Sequence, residues 1–132
     1  TKHSFDLVFH IFLRSLMGSR EKKTFYYERL GQVHKLTEAR KRRKVYSDDW
    51  GVVELGKNVF VTFFAPPEEN LEIAAYEWPA DGLQNVLLQK VCMEPKQIGI
   101  YQAYVMVSDS LKDALTYGMA IGKARPLEDI KL

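Results

Sequence analysis

Residues 52–64, VVELGKNVFVTFF, carry the clearest structural signal in the chain. Val52 to Leu55 and Val59 to Phe64 are rich in β-branched and aromatic residues, which favour extended strands. Gly56-Lys57-Asn58 separates the two runs, and both Gly and Asn tolerate the positive φ angles of tight turns. The sequence therefore predicts a β-hairpin with strands at 52–55 and 59–64.

The second strand of this hairpin also resembles a nucleic-acid-binding motif. Lys57-Asn58-Val59-Phe60-Val61-Thr62-Phe63 is similar to the RNP1 strand of RNA-recognition motifs, in which exposed rings stack on bases. These seven residues are one short of the pattern and lack its glycine. The resemblance implies that Phe60 stacks on a base. The alternative is that the phenylalanines of this strand are buried, since aromatic residues mostly serve burial.

Upstream of the hairpin, residues 20–44 contain the longest helical pattern in the chain. Four residues recur at helical spacing and would share one face: Tyr26, Leu30, Val33 and Thr37. Gly31 interrupts the pattern at a cost of about 1 kcal/mol relative to Ala. The pattern ends in five consecutive cations, residues 40–44, which suit the negative end of a helix dipole. We predict a basic helix whose last turns project into solvent or against a partner.

Two segments fit both a strand and a helix. Residues 4–14 alternate as a strand does, but several of their apolar residues also recur at helical spacing. Their density of Phe, Val and Ile favours a strand. Residues 71–78 are equally ambiguous, and we favour a strand there by a small margin.

The second half of the chain contains two further helical patterns and an apolar run. Asp81 can cap a helix with a buried stripe formed by Leu83, Val86, Leu87 and Val91. Residues 98–107 are apolar on both faces, apart from Gln102, and this pattern predicts a central strand covered on both sides. Ser110 can cap a helix over 111–123, in which Gly118 and Gly122 permit close approach to a neighbouring element.

Placed in order, most of these elements match the βαββαβ order of ferredoxin-like folds. We therefore predict a single α+β domain over residues 1–132, with a ferredoxin-like arrangement and an extra C-terminal helix. If residues 4–14 are helical, the alternative is an N-terminal helical hairpin followed by a mostly antiparallel sheet with two helices.

The composition bears on the cellular compartment of the chain and on whether it spans a membrane. Cys92 is the only cysteine, so it cannot form a disulfide within the chain, which favours an intracellular, reducing compartment. The longest apolar run lies within residues 5–13, well short of the ~20 residues that span a bilayer. We therefore expect no membrane span.

Catalytic signatures are weak. The sequence has no phosphate-binding glycine loop and no nucleophile-elbow motif. His3 and His10 would lie on opposite faces of a strand, so they are poor co-ligands of a metal. Asp48, Asp49 and Glu54 could hold Mg²⁺, but no basic residue accompanies them at a recognised spacing. We predict a non-catalytic binding domain with no metal site and no cofactor, and an enzyme is the less favoured alternative.

Charge is distributed unevenly and suggests two functions. Residues 1–45 hold 12 Lys and Arg against 4 Asp and Glu, whereas residues 46–132 hold 7 against 13. The first hypothesis is nucleic-acid binding, to RNA more than DNA, with phosphates contacted by Lys35, Arg40, Lys41, Arg42, Arg43 and Lys44 and bases stacked on Tyr26, Tyr27 or Phe60. The second is a structural or regulatory accessory subunit that docks its basic segment on an acidic protein surface, or on the acidic half of another copy.

Overall fold

The structure is a computed structural model that describes residues 2–11, 23–37, 39, 41–47, 50–64, 72–78 and 82–122. Within these ranges the chain forms nine β-strands and one α-helix. The strands are β1 (His3–Ile11), β2 (Thr24–Arg29), β3 (Gln32–Thr37), β4 (Lys44–Ser47), β5 (Trp50–Gly56), β6 (Val59–Phe64), β7 (Glu72–Trp78), β8 (Gly82–Met93) and β9 (Tyr104–Ser108), and the helix is α1 (Leu111–Gly122).

The strands form two sheets in which every pairing is antiparallel. Sheet 1 has the order β1-β8-β7-β4, and sheet 2 has the order β3-β2-β5-β6-β9. The described chain is thus mostly β, with a single helix that follows the last strand. The predicted ferredoxin-like arrangement and the alternative with an N-terminal helical hairpin are therefore both wrong.

The predicted helix over residues 20–44 is replaced by the β2–β3 hairpin and the start of β4. Arg29 pairs with Gln32, so Leu30 and Gly31 form a two-residue turn. Their φ angles are 52° and 78°, and a two-residue turn of type I′ requires positive φ at both positions. Gly31, which the helical interpretation treated as an interruption, is therefore the residue that permits the turn. The run from Thr24 to Tyr27, at the start of β2, consists of β-branched and aromatic residues, which favour a strand.

Two further predictions in the second half of the chain are wrong. The segment predicted as a helix after Asp81 is β8, which pairs with β1 on one edge and β7 on the other. Pairing on both edges satisfies the backbone of a central strand, and this tertiary context overrides a helical spacing of apolar residues. The segment predicted as a central strand over 98–107 contributes only β9, which begins at Tyr104 and lies at the edge of sheet 2.

Four local predictions are confirmed within the described residues. The hairpin of β5 and β6 is present, and the segments 4–14 and 71–78 contribute the strands β1 and β7. The fourth is α1, at whose start the backbone N–H of Asp113 donates to Ser110 Oγ at 3.2 Å. Ser110 is therefore the cap of this helix.

One face of sheet 2 packs against sheet 1. The buried side chains of this first core are Phe25, Leu36, Val53 and Phe63 from sheet 2, with Ile73 and Ala75 from sheet 1. Gly51 lies opposite Phe63 in the β5–β6 pair, and a Cβ atom there would lie 2.6 Å from Phe25 Cε2 and 2.8 Å from Phe63 Cζ. A glycine at position 51 therefore lets these two rings pack over the backbone of β5.

The opposite face of sheet 2 packs against α1. The buried side chains of this second core are Trp50, Val52, Phe60 and Phe64 from the sheet, with Ala114 and Met119 from the helix. Trp50 Nε1 donates to Glu28 Oε2 at 3.2 Å, which pairs a buried indole with a buried carboxylate. A Cβ at Gly118 would lie 2.6 Å from Trp50 Cε3, so this glycine provides the close approach that the sequence predicts for position 118. The described residues therefore form three layers: sheet 1, sheet 2 and α1.

In the described part of the chain, no helix is both long and apolar enough to cross a bilayer.

Candidate functional site

The densest cluster of described cations lies in the connection between the two sheets. We call Lys41 to Lys44 the basic connection, because it leads from the end of β3 in sheet 2 to the start of β4 in sheet 1. Lys41 and Arg42 are exposed. The φ angle of Arg42 is 51°, in the left-handed region, which turns the backbone sharply at this residue. Successive cations are therefore presented on a turn and not along a helix.

Arg43 ties the basic connection to the sheet. Its Nη2 atom donates to the carbonyl oxygen of Thr37, the last residue of β3, at 2.6 Å. A hydrogen bond from a charged donor to a carbonyl is stronger than a neutral one. It therefore restrains the position from which Lys41 and Arg42 extend into solvent.

Lys44 lies beside two tyrosines on sheet 1. It pairs with Tyr76 across the β4–β7 ladder, and Tyr46 follows two residues later on the same face of β4. The Lys44 Nζ atom is 4.7 Å from the ring centroid of Tyr46 and 4.6 Å from that of Tyr76, within the range of cation–π attraction. Hydrogen bonding to the Tyr46 side chain, and then to the Tyr76 side chain, raises the pKa of Lys44. Lys44 is therefore fully charged at neutral pH, with the 38% exposed ring of Tyr46 beside it.

A second pairing of a cation with a ring lies on sheet 2, on the face that α1 covers further along the sheet. Lys35 pairs with Tyr26 across the β2–β3 ladder, and its Nζ atom is 5.9 Å from the Tyr26 ring centroid. The Tyr26 hydroxyl donates to Glu54 Oε2 at 3.2 Å. Burial raises the pKa of Tyr26, and the negative charge and the hydrogen bond of Glu54 raise it further. Glu54 places a negative charge in this pairing, which is unfavourable for phosphate.

Of the other two aromatic residues of the predicted site, Tyr27 is partly buried against the first core and Phe60 is buried in the second. The Tyr27 ring stacks on Phe25 at 5.4 Å and on His34 at 5.3 Å between centroids, beside the first core. Phe60 is 7% exposed in the second core, beneath α1. A base could reach the Phe60 ring only if the helix moved away.

The structure thus groups the sequence-predicted site residues only in part. Lys41, Arg42, Arg43 and Lys44 lie together, Lys35 and Tyr26 form a separate pair, and Arg40 lies outside the described residues. The sequence reasoning missed Tyr46 and Tyr76. Tyr46 had a signal, because a strand that begins at Lys44 places residue 46 on the same face. Tyr76 had none, because its position beside Lys44 depends on the register between β4 and β7.

Metal chemistry has no visible basis in the described ranges. There, no three His, Cys, Asp or Glu side chains lie close enough together to hold a metal ion. Asp48 and Asp49, which the sequence suggested as Mg²⁺ ligands beside Glu54, lie outside the described residues.

No protein-family model, curated protein or solved structure matches this chain. Its function therefore has to be inferred from the geometry and charge of the site itself.

Proposed function

We propose that the chain binds single-stranded nucleic acid through the basic connection and Tyr46. The observation that carries this proposal is the continuity of Lys41 and Arg42, both exposed, with Lys44, whose ammonium group lies 4.7 Å from the exposed Tyr46 ring. Proteins that bind single strands combine cations that follow the phosphates with rings on which bases stack. The basic connection and Tyr46 supply both elements within six residues, 41–46.

Two cations of the basic connection, Lys41 and Arg42, are exposed and therefore accessible to phosphate. Within the described ranges, no carboxylate pairs with Lys41 or Arg42. Each cation that contacts a phosphate releases condensed counterions, so binding is strong at low salt and weakens as salt rises. The turn at Arg42 and the hydrogen bond from Arg43 reduce the conformational entropy that binding must overcome.

Tyr46 favours single strands over duplexes. Its ring is partly exposed on the edge strand β4, whereas the bases of a duplex are stacked on one another and cannot reach a flat ring. A base stacked on Tyr46 would place its phosphates near Lys44. Such stacking contributes about 1–3 kcal/mol per base in other single-strand binders.

Fluorescence anisotropy of labelled single-stranded RNA, single-stranded DNA and the matching duplex, over a series of salt concentrations, tests the proposal. The first variant, Lys41→Gln with Arg42→Gln, removes two exposed cations from the basic connection. The matched control, Lys57→Gln with Lys96→Gln, removes two exposed cations from other turns. We expect the first variant to bind more weakly and to lower the slope of log K against log salt by about 1–2, because each lost phosphate contact reduces the slope by about 0.7–0.9. The control should retain most of the affinity and the slope.

Tyr46 is tested separately. Tyr46→Leu should weaken binding to single strands, and Tyr46→Phe should retain it, because Phe keeps the stacking ring. Equal losses in the Lys41/Arg42 variant and in its control would show that only net charge matters and would contradict the proposed site. Complete absence of binding at low salt would leave an acidic protein surface as the partner of the basic connection.

A further inference from the structure

One edge strand of the described sheets differs from the other three. The edges are β1 and β4 in sheet 1 and β3 and β9 in sheet 2. β1 contains Asp6, β3 contains Lys35 and β4 contains Lys44, whereas β9 contains no charged residue. Natural proteins place charges on edge strands because an edge presents unpaired N–H and C=O groups to other strands. β9 lacks this protection.

The face of β9 that points away from α1 is apolar and exposed. Val105 and Val107 pair with Phe63 and Val61 and share their face of sheet 2. Along β6 those partners are buried, but Val105 is 57% and Val107 is 68% exposed. Sheet 1 therefore leaves the β9 edge of this face uncovered. The neutral run continues upstream, because residues 97–108 contain no charged side chain.

We infer that two copies of this chain associate by antiparallel pairing of β9 with β9, about a two-fold axis at Met106. In this register Met106 lies opposite the partner copy's Met106, and Val105 lies opposite the partner copy's Val107. Sheet 2 of each copy then continues into sheet 2 of the other, as one ten-stranded antiparallel sheet.

The sequence of β9 is self-complementary in this register. In Tyr104-Val105-Met106-Val107-Ser108 the two valines lie on one face of the strand, and Met106 lies midway between them on the other face. A two-fold axis there brings each Val105 against a Val107, so four exposed valines form one cluster across the junction. Cross-strand pairs of β-branched residues stabilise antiparallel sheets, and a closed two-fold interface uses the same patch on both copies.

Charge favours β9 of the second copy, and not another edge strand of that copy, as the strand that pairs with β9. Pairing β9 with β3 of another copy would place Lys35 and its neighbours at an apolar junction, and repetition of that contact would give an open chain of molecules. β9 with β9 places no charge at the junction. The net charge of each copy is only +2, so repulsion between two copies is small.

Molecular mass in solution, measured by light scattering and sedimentation over a series of concentrations, tests the association. Val105→Lys with Val107→Lys should convert a dimer to a monomer, because lysines on an edge strand oppose strand addition. The matched control is Val33→Lys, which places a lysine at a 43% exposed valine of the opposite edge, β3. It should leave the dimer intact. A chain that stays monomeric at every concentration, or a dimer that only Val33→Lys disrupts, overturns the inference.

The register has its own test, which also serves if the lysine variant fails to fold. In a Cys92→Ser background, which removes the exposed native thiol, Met106→Cys should form a disulfide-linked dimer under mild oxidation. Directly opposed residues of an antiparallel pair have Cα atoms about 4.5–5.5 Å apart, which is within the range of disulfides. Val107→Cys in the same background should not crosslink to itself efficiently, because Val107 lies opposite Val105. A non-covalent dimer in which Met106→Cys does not crosslink would contradict the β9 register.

Discussion

At the scale of single residues, Gly51 is a position where one added methyl group should destabilise the fold. A methyl group there would lie 2.6 Å from Phe25 Cε2 and 2.8 Å from Phe63 Cζ, and both rings are fully buried. We expect Gly51→Ala to lower the free energy of unfolding by about 1–3 kcal/mol, because the rings must shift in a packed core. Urea denaturation measures this change. Gly56→Ala, five residues along the same strand with no atom within 4 Å of the added methyl group, is the control and should cost far less.

Tyr26 makes a prediction about alkaline pH. Its pKa lies above the ordinary value of 10.0, because of burial and of Glu54, so the folded chain retains the phenol proton longer than the unfolded chain does. Its contribution to stability is therefore complete below the unfolded pKa, and it is lost as pH rises from about 10 through the folded pKa.

Difference titration of phenolate absorbance, wild type minus Tyr26→Phe, measures the pKa of Tyr26. Glu54→Gln removes the negative charge and should lower the pKa of Tyr26 in the folded chain. An unchanged titration in Glu54→Gln would show that Glu54 does not act on the phenol. Unfolding measured across the same pH range should show a shallower decline for Tyr26→Phe than for the wild type.

At the scale of elements, a substitution in the β2–β3 turn can distinguish the observed hairpin from the predicted helix. Leu30 is 90% exposed and adopts a φ angle of 52°, which is unfavourable for a leucine. Leu30→Asn should raise the free energy of unfolding by about 0.5–1 kcal/mol, because Asn-Gly is the preferred pair for this turn type. Thermal and urea unfolding measure the gain. A helix over 20–44 would give the opposite sign, since Asn is a poorer helix former than Leu.

The elements that the sequence predicted correctly are those with local signals. Asn58, with a φ angle of 61°, marks the turn of the β5–β6 hairpin, and Ser110 marks the start of α1 by its own hydrogen bond. The β2–β3 turn was missed because Leu-Gly is not a typical turn pair, although Gly31 carries the required positive φ. β8 was missed for another reason. A strand that pairs on both edges is stabilised by its neighbours in the sheet, and not by its own pattern. Here the neighbours are β7, which directly precedes β8, and β1, which lies near the start of the chain.

At the scale of the whole molecule, the candidate site has a part with a local sequence signal, the cations, and a part that depends on long-range packing, the aromatic rings. The cations of the basic connection could be identified from the sequence, because a run of charges has nothing to bury wherever the backbone places it. The aromatic part could not be identified. Whether Tyr26, Phe60 or Tyr46 is exposed depends on which face of each sheet α1 and the other sheet cover, and only the sheet order determines that.

The layered arrangement also predicts that the two sheets unfold together, as expected for a single domain. Ile73 of sheet 1 is fully buried in the first core with Phe63 of sheet 2, whose opposite face holds Trp50 in the second core. Ile73→Ala should lower the free energy of unfolding by about 2–5 kcal/mol, because it leaves a cavity between the sheets.

In a Trp78→Phe background, Trp50 is the only tryptophan and its fluorescence reports the layer between sheet 2 and α1. Its urea midpoint should shift together with the midpoint from far-ultraviolet circular dichroism, as in a two-state transition. A Trp50 transition that stays in place while the circular dichroism shifts would show that the sheets unfold as separate units. Ala75, also in the first core, provides the control: Ala75→Gly removes less buried volume and should shift both midpoints less than Ile73→Ala does.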